Sequence, residues 1–344
     1  MPSPLRGCGR GRGVAARLGG LAVGVALDAV LADPARLHPV AGFGQAATRL
    51  ETRLYRDSRR AGALHTALLV AAVALPTAAA ESLLARTRPG TRIGARAVAV
   101  TAGLSWVVLG GASLRRAGRG IGARLSDGDL AGARARLPTL CGRDPSLLDD
   151  AGVARAAIES LAENTCDAIV APLWWGAAAG LPGLAGYRAV NTLDAMVGHH
   201  SERYERFGWA AARLDDAANL LPARLCALAA CAAAPLVGGN PVDAYWVMRR
   251  DGRSHPSPNA GMVEAAFAGA LGLRLGGELR YPYRVEHRPE LGFGRPPTAA
   301  DVDRAARLSA AAGLASLTVT AIGTAAAAGA LRRTVGVLRG APPT

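Results

Sequence analysis

The chain has 344 residues, half of them apolar but only 4% aromatic, and a formal net charge of +14. Every basic side chain is Arg, so no P-loop lysine and no Schiff-base lysine exists, which excludes Walker-type nucleotide sites and the common covalent amine chemistries. The five cysteines form no Cys-x-x-Cys pair and no zinc spacing and read as small buried hydrophobes, and the Arg excess lacks the interleaved aromatics of a nucleic-acid surface, so no nucleic-acid partner is expected.

Residues 1–17 are rich in Arg and Gly without a clear cleavage site and read as a loose tail, ahead of a single membrane domain spanning 18–340. The first apolar run, Leu18 to Leu31, contains Asp28. A charge near the middle of a span costs about 2.5–3.5 kcal/mol on insertion scales, so such a residue usually has work to do. Asp33-Pro34 and His38-Pro39 make a turn just past it. Ala61 to Ala80 carries only His65, and Ala97 to Leu114, Ala168 to Tyr187, Leu225 to Val242 and Leu308 to Leu331 carry no charge at all. Each approaches the roughly 18–20 residues that cross about 30 Å of hydrocarbon. A soluble Ala-rich bundle would place polar residues on its outer faces every second turn, and these segments do not.

The expected fold is therefore all-α, a multi-pass helical membrane protein in the cell membrane. Its polar stretches at 115–167, 188–224 and 243–307 read as helical loops. Arg clusters at 49–60, 86–96 and 115–124 suit a cytoplasmic side. No fixed repeat and no strand-like alternation stands out. Residues 281–298, rich in Pro and Arg, read as loop, and Pro172 and Pro182 leave open a re-entrant element within 168–187.

Three constellations could carry chemistry. Arg155, Glu159, Glu163 and Asp167 succeed one another at intervals of four in a helix expected over 151–165, which puts the acids on one face and calls for a cation or Arg partners; Ser160, Asn164 and Thr165 lie beside them. A solvated helix face is the bland alternative. In the second stretch, Asn191-Thr192-Leu193-Asp194 and Glu202-Arg203-Tyr204 lead to Arg213-Leu214-Asp215-Asp216-Ala217-Ala218-Asn219. Asp215, Asp216 and Asn219 offer hard oxygens suited to Mg²⁺, and Arg188, Arg203, Arg213 and Arg224 offer planar forks for phosphate or carboxylate. The Asp-Asp-x-x-Asn spacing also occurs in membrane prenyl and alcohol-phosphate transferases. The third, His255-Pro256-Ser257-Pro258-Asn259-Ala260-Gly261 with Glu264, is a rigid polar loop opening onto a helix that starts near Gly261; it suits an anion, or Asn259 acts simply as an N-cap.

From about Gly24 to Gly277 these residues resemble the CobD/CbiB family, the adenosylcobinamide-phosphate synthases. The resemblance rests on Asp33-Pro34 with His38-Pro39-Val40, on Glu159-Ser160-Leu161-Ala162-Glu163-Asn164-Thr165 with Asp167 and Ala171-Pro172-Leu173, and on Ala189 to Gly198. Glu202-Arg203-Tyr204, Phe207-Gly208-Trp209-Ala210, Ala212 to Asp216 with Asn219, the 255–261 loop and Arg274-Leu275-Gly276-Gly277 extend it.

The resemblance implies an ATP-dependent ligase of cobalamin biosynthesis. It joins (R)-1-amino-2-propanol O-phosphate, or a related amino-alcohol phosphate, to the free carboxylate of adenosylcobyric acid, with ATP and Mg²⁺ as cofactors. It further implies that Glu159, Glu163, Asp167, Asp194, Asp215, Asp216 and His255 are catalytic, and that Asp215, Asp216 and Glu163 hold the metal. Asn164, Asn191, Arg203, Arg213, Asn219, Arg224, Ser257 and Asn259 would then bind substrate. The expected partners are the corrinoid, the amino-alcohol phosphate and the lipid bilayer, with a homo-oligomer or a cobalamin-assembly protein compatible with the reading. A membrane alcohol-phosphate or prenyl transferase and a non-catalytic corrinoid-handling component are the alternatives.

Overall fold

The computed structural model describes residues 6–33, 38–86, 91–199, 201–281 and 284–340. In chain order these form α1 (Arg6–Leu31), α2 (Pro39–Leu54), α3 (Arg59–Arg86), α4 (Thr91–Val108), α5 (Gly111–Ser126) and α6 (Leu130–Arg136). Next come α7 (Asp150–Thr165), α8 (Ala171–Leu193), α9 (Trp209–Ala233), α10 (Pro241–Asp251), α11 (Ala260–Leu271), the strands β1 (Leu275–Tyr281) and β2 (Arg284–Leu291), and α12 (Ala299–Gly340). Among the described residues six segments are long and apolar enough to cross a bilayer: Gly13–Leu31, Arg59–Ala85, Gly94–Ser126, Asp150–Gly198, Trp209–Val237 and Ala299–Ala330. The protein is a multi-pass helical membrane protein, as its uncharged runs imply.

The N-terminal expectation needs correction, because α1 already begins at Arg6 and Arg17 is no part of a loose tail. Its guanidinium donates to the Ala177 carbonyl at 3.1 Å and to Glu81 at 2.7 Å. Once the apolar run from Leu18 has nucleated a helix, each upstream residue adds one hydrogen bond that offsets much of the entropy of fixing it, so even an Arg/Gly stretch can extend it.

The chain gathers into two compact units, residues 1–109, 172–212 and 317–344 in the first and 110–171 and 213–316 in the second. In the first unit α1 packs along α4 through two glycines one helical turn apart. A Cβ on Gly20 would strike the Thr101 side chain and one on Gly24 would strike Ser105. Small residues at this spacing let helix backbones approach closely where lipid removes the hydrophobic drive for association. Trp106 ties the end of α1 down by donating from Nε1 to the Ala32 carbonyl at 2.8 Å.

Helix α8 breaks at Gly180 (φ 70°, ψ −150°), two residues before Pro182. Glu81, already paired with Arg17, accepts the Leu181 amide at 3.2 Å. A backbone group freed inside a span thus finds a partner, as it must where water is absent. A core of Ala47, Leu69, Leu193, Val197, Phe207 and Ala211 completes this unit.

The second unit is built on α7 and α11, both enclosed. Ala154, Ala157, Ile158, Leu161 and Ala162 of α7 and Val263, Ala265, Ala266, Phe267 and Ala268 of α11 are fully buried. Asp301, also fully buried, caps α12 by accepting from the Thr298 amide (2.9 Å) and hydroxyl (2.7 Å), and pairs with Arg295 and Arg304. Arg304 in turn donates to the Val237 and Leu271 carbonyls that end two other helical segments. Residues 275–291 correct the expectation of a helix-and-loop chain, since they form an antiparallel hairpin with a bulge between Leu275 and Gly277. A period-2 signal is present, with Leu275, Leu279 and Tyr281 alternating with Gly276, Glu278 and Arg280, and Val285 and Leu291 set among Arg284, Glu286, Arg288 and Glu290, but Gly276-Gly277 and Pro289 interrupt it and make the segment read as loop.

Replacing Gly24 by Ala should destabilise the protein by about 1–3 kcal/mol, the usual cost of overpacking, whereas Gly103→Ala on α4, with open space at its Cβ, should change little. Thermal unfolding in one detergent compares the two; equal midpoints would contradict the α1–α4 packing.

Candidate active site: a buried charged centre in the second unit

Helix α7 starts where Asp149 accepts the Gly152 amide at 2.8 Å, and from there it carries the acidic stripe. Its three acids meet different environments. Glu159 is 1% exposed; one carboxylate oxygen accepts the Gly276 amide at 2.6 Å and the other pairs with Arg143, itself buried. Gly276 sits at φ +81° in the hairpin bulge, where an L side chain would be strained and its Cβ would strike the Pro289 carbonyl. Glu163, one turn on, is exposed, and Asn164 beside it donates to the Ser160 carbonyl at 2.9 Å.

Asp167 is half-buried in a π-helical turn, Cys166–Val170. Pro172 cannot supply the amide that an α-helix would direct at the Ala168 carbonyl, and that carbonyl accepts from Gly110 N–H at 3.2 Å instead. Such single π turns concentrate at functional sites.

Helix α11 brings Glu264 to the same centre. It is 1% exposed and stands 3.9 Å from His255 Nε2. Burial, reinforced by the Glu159 and Glu163 charges and only partly offset by Arg143 and Arg288, holds its carboxyl well above the usual range. Arg288 Nη1 lies 2.9 Å from His255 Nε2. A guanidinium only donates, so Nε2 accepts from Arg288, while Nδ1 accepts the Ser257 amide at 3.0 Å and lies 3.3 Å from the Ser257 carbonyl. His255 thereby joins Arg288 to the loop.

The 255–261 loop folds as tightly as its prolines imply. A Cβ on Gly261 would strike His255 and the Gly252 carbonyl. Ser257 Oγ accepts the Asn259 and Ala260 amides at 3.3 and 3.1 Å, so the serine caps α11. Asn259 holds the N-cap position but makes no cap bond with its side chain. It donates to the Asp216 carbonyl at 2.8 Å and accepts from Arg224 at 2.6 Å, which joins the loop to α9. Asp251, just ahead of the loop, accepts the Gly292 amide at 2.8 Å and pairs with Arg250, fastening the loop to the hairpin exit.

On α9 the i, i+4 relation is realised as Asn219 Nδ2 donating to Asp215 at 2.9 Å, while Arg213 pairs with Asp216 at 3.3 Å. Asn219 is buried, and Cys166 Sγ lies 3.7 Å from its Oδ1, which brings the α7 π turn against the α9 acids.

Among the described residues no group of three or more His, Cys, Asp or Glu side chains converges to hold a metal, so Glu163 does not join Asp215 and Asp216 in one cage. Two neighbouring half-buried carboxylates, one braced by an amide, nevertheless suit Mg²⁺, which takes one or two protein carboxylates and completes its shell with water and substrate phosphate.

The remaining site candidates lie in the first unit. Asp194 opens a second π turn, Asp194–Gly198, and Asn191 accepts from Arg188 at 3.4 Å. Arg203 pairs with the buried Glu51 at 2.9 Å and lies over the Tyr55 ring at 4.0 Å, with Tyr204 OH on the same Glu51 oxygen at 3.0 Å.

Sequence reasoning missed Arg143 and Arg288, and gave no role to Glu264 or Asp251. A lone carboxylate in the apolar stretch 260–271 was the available signal for Glu264; its counter-charges come from residues with no local relation to it.

Fold and site together define a multi-pass membrane protein whose second unit encloses a charged centre with Arg-flanked acids beside it. The chain belongs to the CobD/CbiB family of cobalamin biosynthesis: the family described as CobD/Cbib protein matches residues 21–309. It is 54% identical over 290 residues to the cobalamin biosynthesis protein CobD of Mycobacterium tuberculosis, covering 84% of this chain and 90% of that one. The protein of the same name from Rhodobacter capsulatus is 44% identical over 293 residues (83% and 90%), and that of Chromobacterium violaceum 41% over 288 (84% and 90%). No solved structure matches.

Glu264→Gln should stabilise the protein increasingly as pH rises. Below about 4.5, the ordinary glutamate value, folded and unfolded chains both hold the proton. Above it the unfolded chain releases the proton while the folded carboxyl keeps it, so wild-type stability falls by up to about 1.4 kcal/mol per pH unit. Glutamine lacks this loss. Melting midpoints of both proteins from pH 5 to 8 check it; a constant difference would contradict the burial described.

Proposed function

We propose that the protein is an adenosylcobinamide-phosphate synthase, attaching (R)-1-amino-2-propanol O-phosphate to the free carboxylate of adenosylcobyric acid at the expense of ATP. Family membership supports the pathway. The observation that carries the reaction class is the division of labour among the acids: Glu159 and Glu264 are buried and held, Glu163 is exposed, and Asp215 and Asp216 stand among Arg213, Arg224 and Asn259. A carboxylate does not condense with an amine unaided. In the proposed course a corrin carboxylate oxygen attacks the γ-phosphorus of ATP and ADP leaves. The neutral amine then adds to the acyl-phosphate carbon, and inorganic phosphate departs as the amide forms.

Arg213 and Arg224 would hold phosphate oxygens through planar forks, with Asn259 fixing the Arg224 head. Glu163, the acid open to solvent, would take the ammonium proton. Glu159, committed to Arg143 and Gly276, would keep α7 in register with the hairpin, and His255 would hold Arg288. Asp215 and Asp216 would hold Mg²⁺, which would supply charge neutralisation at the transferred phosphoryl group. Asp167, Asn164, Asn219 and Ser257 would shape this face.

A cytoplasmic location for these loops accords with the supply of ATP and corrinoid. Arg count alone does not choose the side, because the clusters at 49–60 and 86–96 flank the two ends of α3.

Purified wild type incubated with adenosylcobyric acid, aminopropanol phosphate and Mg-ATP should yield the amide by mass spectrometry. Glu163→Gln should lower kcat by about 10²–10⁴-fold, the range for losing a general base, and Asp215→Asn should abolish the product. Turnover of a prenyl diphosphate instead, or full activity in Asp215→Asn, would overturn the proposal.

A further inference from the structure

Helix α10 comes after the membrane segment Trp209–Val237, separated from it by Gly238, Gly239 and Asn240. At no more than about 3.6 Å per residue its first turn lies within roughly 15 Å of the end of that segment. Its inner side, Ala244, Val247 and Met248, is buried, and Gly269 of α11 packs closely on Ala244 and Val247. The outer side is large, apolar and open: Val242, Tyr245 and Trp246 are exposed, Trp246 by 65%, and Phe293, in the loop after β2, by 70%.

Arg250 spans the gap, its guanidinium 4.4 Å from the Phe293 ring and its charge met by Asp251. Arg249 is exposed and, among the described residues, has no acidic partner. Trp246, Arg249, Arg250 and Phe293 line an open cleft of about 480 Å³. Leu236, 70% exposed at the end of the membrane segment, carries the apolar character up to it.

A contiguous aromatic patch facing water is unfavourable, whereas the boundary between hydrocarbon and headgroups favours indole rings and lets arginine heads meet lipid phosphates. The charges agree: α10 and its exit carry Arg249, Arg250 and Arg253 against Asp243 and the already paired Asp251. We propose that α10 and the Phe293 loop form an interfacial anchor, with Trp246 and Phe293 seated at the headgroup level and Arg249 holding the phosphate of an anionic phospholipid.

The full chain in bilayer nanodiscs tests this through the tryptophan fluorescence that Trp246→Phe removes. Lipids brominated near the glycerol should quench that component, and brominated phosphatidylglycerol should associate about fivefold better than brominated phosphatidylcholine, the factor expected for one basic side chain at an anionic surface. Arg249→Glu should bring the ratio to about one or below, with the quenching by phosphatidylcholine retained. Three results would overturn the proposal: a Trp246 component reached by acrylamide but not by either lipid, equal quenching by the two lipids in wild type, or a component indifferent to lipid that Mg-ATP alters.

Discussion

The second unit is organised by the cost of enclosing carboxylates. Glu159 and Glu264 are each 1% exposed, and an unpaired buried charge would be ruinous, so the surrounding chain is arranged to answer them. Arg143 and the Gly276 amide answer Glu159, which fixes α7 against the segment before α7 and against the hairpin bulge. Glu264 is answered less completely and keeps its proton more readily, with His255 and Arg288 as neighbours. The tight 255–261 loop, the positive φ of Gly276 and the hairpin itself result from bringing these partners from distant parts of the chain.

In each unit the helices depart from regularity at polar residues. The π turn at Cys166–Val170 continues from the acidic stripe, and a second opens at Asp194. Pro172 frees a carbonyl that Gly110 takes up, and the break at Gly180 frees an amide that Glu81 takes up. Each irregularity is stabilised by a specific polar partner, which is the condition for irregular backbone in a membrane protein.

Much of this was legible in the residues. The uncharged runs foretold the spans, and the spacing of Asp215 and Asn219 became a direct hydrogen bond. The stripe at 155, 159, 163 and 167 lies on one helix, yet steps of four drift by about 40° each, so neighbours along it can differ between buried and exposed. What stayed hidden was long-range. Arg143 and Arg288 carry no local mark of their role, and the alternation along the hairpin strands is masked by Gly276-Gly277 and Pro289. The Arg/Gly start is helical because the apolar run from Leu18 nucleates the helix that it extends.

The reaction proposed for this centre depends on activating a carboxylate by phosphorylation, which isotope transfer reads directly. With ¹⁸O in the corrin carboxylate, a single turnover with Mg-ATP and aminopropanol phosphate should deliver one ¹⁸O atom into the released inorganic phosphate and leave one in the amide. Unlabelled phosphate accompanying amide formation would contradict an acyl-phosphate course and the roles given to the acids around it.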